Sequence, residues 1–112
     1  MIAIVLVGLA CGPMPPVFEP TDAETARYAS AVSDLKPGAP ESLVGERFPP
    51  PKPGETCVYT IVDVDEYRAE GYLKRTYWIG YLHSSRLAAT VETKRVIAIT
   101  AINGKIDSTY RP

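Results

Sequence analysis

The chain has 112 residues, a net charge of −1 and 46% hydrophobic residues, which sets the scale at one small domain with an ordinary core. The near-neutral balance gives no electrostatic reason to expect nucleic acid as a partner, and a single histidine, His83, with two cysteines, Cys11 and Cys57, offers no metal framework. No cofactor is expected: there is no phosphate loop, dinucleotide fingerprint or basic aromatic stripe.

The first ten residues, Met1 to Ala10, are apolar and end on Cys11, after which the chain passes into Gly12-Pro13-Met14-Pro15-Pro16. Such a run is too short to span a bilayer, which takes ~20 helical residues, and fits the apolar part of a secretory leader. Ala10-Cys11 resembles a bacterial lipobox, although no Lys or Arg precedes the apolar run and Gly8 stands where a leucine is usual. The competing reading is a buried strand over Ile2 to Leu9. On the leader reading, residues 1–10 are a signal peptide, Cys11 is lipidated (acyl chains such as palmitate) and residues 11–20 form a proline-rich tether. In extended form, at ~3.1 Å per residue, residues 12–20 reach roughly 28 Å. A mature lipoprotein's three acyl chains make a permanent anchor, since one chain holds only marginally. Glycine after Cys11, in place of the aspartate that retains lipoproteins in the inner membrane, points by the same resemblance to the outer membrane, facing the periplasm.

Residues 21–112 are expected to form the folded unit. Thr21-Asp22-Ala23-Glu24 reads as a capping box opening a helix to about Leu35, with Tyr28, Ala31, Val32 and Leu35 on one face. Pro37-Gly38 ends it. A short second helix fits Pro40 to about Arg47, with Glu41 complementing its dipole. Residues 47–53 have the spacing of an Arg-led polyproline ligand, or form a stiff crossover.

Strand chemistry begins near Thr56. Cys57 to Val64 reads as the first strand, and Asp63, Asp65, Glu66 and Glu70 as a solvated acidic turn closed by Gly71, with Ca²⁺ binding the sharper alternative. A second strand is expected from Tyr72 to His83. Residues 84–94 either form a short helix capped by Ser84-Ser85 or return directly as a strand. Asn103-Gly104, between Arg95–Ile102 and Lys105–Tyr110, predicts a two-residue hairpin pairing Ile97 with Tyr110. Its core face is then Ile97, Ile99, Ala101, Ile106 and Tyr110, with Val96, Ala98, Ile102, Lys105 and Asp107 opposite. The fold class that results is α+β: two short N-terminal helices packed on a three- to four-stranded antiparallel sheet.

Leu35-x-x-Gly38, Val44, Phe48 and Pro51 spell L-x-x-G-x(5)-V-x(3)-F-x-x-P. This resembles the opening motif of the SmpA/OmlA family of small outer-membrane lipoproteins, the BamE-like domain. The likeness covers about 35–64, and departs from the family at Pro40 and Pro49. It implies an accessory lipoprotein of outer-membrane protein assembly, non-catalytic and bound to a protein partner in the envelope.

An enzyme is not expected, because Cys57 and His83 would be a dyad of two residues without a supporting group. A small hydrolase is the weakest alternative, and an enzyme-inhibitor-like periplasmic domain another. Tyr72, Trp78 and Tyr81 are the candidate partner-binding residues, since Trp and Tyr are the usual anchors of interfaces; the alternative is that they only cover the sheet. No small-molecule substrate is expected.

Overall fold

The computed structural model describes residues 17–85 and 90–112. The leader, Cys11 and most of the expected tether lie outside the described residues. Helix α1 (Asp22–Asp34) opens on the expected capping box: the Glu24 N–H donates to Thr21 Oγ1 at 3.1 Å and the Thr21 N–H to Glu24 Oε1 at 2.7 Å. Helix α2 (Ser42–Arg47) follows. Four strands come next, β1 (Thr60–Ala69), β2 (Tyr72–Ser85), β3 (Thr90–Ile102) and β4 (Lys105–Tyr110), in one antiparallel sheet of order β1-β2-β3-β4. The protein is therefore α+β. The description as two short helices fits only the second, which runs six residues; the first runs 13.

The core lies between the helices and one face of the sheet. Tyr28, Ala31 and Leu35 from α1, Val44 from α2 and Phe48 just beyond it meet Ile79, Ile97, Ile99 and Ile106. The apolar positions Leu35, Val44 and Phe48 of the L-x-x-G motif are thus core residues. Tyr28 stacks on Tyr59 at 4.3 Å, and Tyr59 meets Tyr81 edge-on at 5.1 Å, so an aromatic column runs from α1 to β2.

Between α1 and α2 the chain lies along the outer edge of β4. The Gly38 N–H donates to the Ile106 carbonyl, the Ile106 N–H to the Ala39 carbonyl, and the Glu41 N–H to the Gly104 carbonyl, each at 2.8 Å. Pro40 bridges Lys105 as a result, and α2 begins two residues later than its sequence suggests.

Each strand pair contains one register shift, and the extra residue is Val62 in β1, Val96 in β3 and Asp107 in β4. Strand β2 carries none. The shifts flank it on either side of Ile79, that at Val62 beside Trp78 and Ile79 and that at Val96 beside Ile79 and Gly80. Bulges bend a sheet and sharpen its twist, so two this close crease it there.

These insertions move several residues from the places their sequence pattern predicts. Asn103 (φ 49°) and Gly104 (φ 84°) form the expected turn, and Ile102 pairs with Lys105 and Ala101 with Ile106. Past the bulge at Asp107 the register slips by one, so Tyr110 pairs with Ala98 rather than Ile97 and is 61% exposed instead of joining the core. The bulge at Val96 likewise turns that residue toward the core, and Ala98 is buried although it lies opposite Ile97 and Ile99. Strand β1 starts at Thr60, not Cys57, and runs through the acidic residues to Ala69, leaving Glu70-Gly71 as the turn. Ser84 and Ser85 belong to β2 and pair with Val91 and Thr90, so those four residues extend a hairpin and do not start a helix.

Candidate functional site

The sheet face away from the helices is built by strand alternation. Residues directly opposite on neighbouring strands share a face, so the register places Asp63, Trp78, Ala98 and Tyr110 in one row across the sheet. Asp65, Thr76, Thr100 and Ser108 form the next row, and Tyr67, Lys74, Ile102 and Lys105 the one after, with Tyr72 beyond it opposite Ala69. Among the described residues, no helix packs on this face.

Trp78 is fixed at its centre. The Arg95 guanidinium sits 5.2 Å from the Trp78 ring centroid and donates to Asp63 Oδ2 at 2.6 Å, while the indole N–H donates to Asp65 Oδ2 at 3.3 Å. A cation over an indole is worth about 0.5–1 kcal/mol at an exposed site, and the two carboxylates set its direction. Ala98 is 3% exposed because its cross-strand neighbours, Trp78 and Tyr110, are large. Beside this group Tyr67 and Tyr72 meet edge-on at 6.0 Å and, with Asp65, Glu66, Lys74 and Thr76, line an open hollow of about 430 Å³.

Of the three residues singled out in the sequence, Tyr72 and Trp78 share this face, and Tyr81 does not: it points to the helices and packs on Tyr59. Tyr67, Tyr110 and Arg95 were not among the sequence candidates. Period-2 alternation from Asp63 through Asp65 to Tyr67 carries the first of these, once β1 is extended through the acidic run. The other two depend on bulges.

The acidic residues are not a cation cluster. Asp63 and Asp65 face outward toward Arg95 and Trp78, whereas Glu66 faces the other way and accepts from Arg75 and Arg68. Among the described residues no group of three or more His, Cys, Asp or Glu could hold a metal ion.

A second polar group lies on the helical side. Glu41, just before α2, accepts from Arg75 at 2.9 Å and from the Tyr77 hydroxyl. Burial opposes the charged form of Glu41, but the Tyr77 and Arg75 hydrogen bonds outweigh it and hold the carboxyl below its ordinary range. Burial and the same carboxylate push the Tyr77 phenol up to about 12. These groups hold each other in place, and the reactive-pair candidates stand apart from them. The Cys57 sulfur, ahead of β1, lies 3.6 Å from the Thr56 hydroxyl. His83, near the far end of β2, has a buried Nδ1 without a hydrogen-bond partner among the described residues, and its cross-strand neighbour is Glu92.

No protein-family model, curated protein or solved structure matches the chain. Among the described residues no helix is long and apolar enough to cross a membrane.

Proposed function

We propose that this protein is a non-catalytic binding or assembly module of the bacterial envelope, carried on a lipid anchor at Cys11 and docking a protein partner on its outer sheet face. The observation that carries the reading is Trp78, clamped between Arg95 and Asp65 on a face that also carries three tyrosines and that no helix among the described residues covers. A pre-positioned indole loses little freedom on binding, which is how aromatic anchors contribute most to an interface. The L-x-x-G motif and the apolar leader ending on Cys11 support the envelope address and make outer-membrane protein assembly the process it would serve.

The test is photo-crosslinking in intact cells, with a crosslinkable residue placed at Tyr110 on the outer face or at Thr109, its neighbour on the other face. Adducts with outer-membrane assembly components from Tyr110 alone, lost in Trp78→Ala, are the expected result. An adduct with one soluble hydrolase would point to the inhibitor-like role, and equal labelling from both positions would reject the docking face. Cys11→Ser should shift gel mobility and release the protein from membrane fractions, and unchanged fractionation rejects the anchor.

A further inference from the structure

The two edges of the sheet are unlike. The β4 edge is covered along residues 104–106 by the run Gly38–Glu41. Strand β1 forms the other edge; its residues from Val64 to Ala69 are all exposed, and among the described residues no strand pairs with its outer side. An open edge is a template for another strand, and proteins usually blunt it with charged side chains, lysine above all, with proline or with a bulge. The bulge at Val62 stands at the start of β1; the seven residues beyond it, Asp63 to Ala69, contain neither proline nor lysine, carry charges of both signs and keep an unbroken register with β2.

The backbone of β1 fixes which groups are free. Ala69 and Tyr72 flank a two-residue turn and so form a hydrogen-bonded pair; the alternation of an antiparallel ladder then gives the N–H and C=O groups of Ala69, Tyr67 and Asp65 to β2. Those of Arg68, Glu66 and Val64 turn to the open edge.

We infer that this edge pairs with β1 of a second copy of the chain, antiparallel and centred on Tyr67, to make one continuous sheet across both copies. If faces are to match, a two-fold axis perpendicular to the sheet must lie midway between one residue and its own copy, and the side chains choose the residue. Centring on Asp65, Glu66 or Arg68 sets each of these against its own like charge. Centring on Tyr67 sets Glu66 against the partner's Arg68 twice, in the positions whose backbone groups are free, and sets Tyr67 against the partner's Tyr67. Opposite charges directly across a ladder stabilise and like charges destabilise. Arg68 and Glu66 are already placed near each other within one copy, at 2.7 Å, so the pairing extends an existing alternation of charge. Tyr67, 60% exposed, would be covered, with Tyr72 beside it.

The test uses the full chain in detergent, with its mass followed by sedimentation equilibrium. A dimer is expected, and Arg68→Glu should weaken it about tenfold or more while the circular dichroism stays unchanged. In a background of Cys11→Ser and Cys57→Ser, oxidation of Tyr67→Cys should yield a disulfide-linked dimer, because non-hydrogen-bonded partners lie ~4.5 Å apart between Cα atoms, within disulfide reach. Ala69→Cys, which faces the partner's Asp65 in this register, should remain uncrosslinked. A monomer at all concentrations overturns the inference. So does a dimer that crosslinks at Ala69 or fails to crosslink at Tyr67.

Discussion

Glu41 is the residue through which the helical layer grips the sheet. Its carboxylate, 11% exposed, accepts from Arg75 and Tyr77 on β2, and its own N–H donates to Gly104 at the β3–β4 turn. Tyr77→Phe should therefore lower stability at neutral pH by about 1–2 kcal/mol, the usual worth of a hydrogen bond to a charged group at a partly screened site. The pH dependence follows from the directions of the two shifts. Glu41 is held below its ordinary value, so its contribution is present above the unfolded carboxyl range and is lost as pH falls through the folded one. Tyr77 is held above its ordinary 10.0, at about 12, so its contribution is complete below pH 10 and disappears as pH rises between those values. Urea denaturation of the wild type should show both losses. In Tyr77→Phe the alkaline loss should shrink and the acid loss should become shallower, and identical profiles would remove the network from the account.

At the scale of elements, β2 is the central member without an inserted residue, to which its neighbours adjust. Gly80 sits beside the bulge of β3, one residue from the level at which β1 bulges, and a Cβ built there would lie 1.9 Å from the Lys94 carbonyl oxygen. That oxygen belongs to the backbone, so relief requires strands to part. Gly80→Ala should cost about 3 kcal/mol or more and lower the melting temperature by roughly 10 °C or more. Gly45 in α2 is the control, with no neighbour within 4 Å of a Cβ, and Gly45→Ala should raise stability by ~0.5–1 kcal/mol. The elements that were legible in the sequence are those fixed by near neighbours, such as the Thr21–Glu24 capping box and the Asn103-Gly104 turn. Cross-strand partners were not legible. The acidic run of β1 looks like a turn until Arg95, Trp78 and Arg75 are set against Asp63, Asp65 and Glu66. A single inserted residue, Asp107, was enough to carry Tyr110 from its expected place in the core to the outer face, and nothing local announces such an insertion.

Across the whole molecule the two sheet faces differ in what they meet. One is closed by α1 and α2, and the other presents Trp78, Tyr67, Tyr72 and Tyr110 to the surroundings. The short run laid along β4 gives this arrangement a limit on growth. A sheet with two open edges can add copies without end and lengthen into a fibre, whereas one with a stoppered edge closes after a single addition. Gly38 holds that stopper in place with φ +92°, a conformation that side chains with a Cβ resist. Gly38→Val should loosen the run from β4 and turn a self-limiting pair into concentration-dependent higher oligomers, visible as rising light scattering. In the native chain, termination of assembly is written into four of the residues that connect its two helices, Gly38 to Glu41.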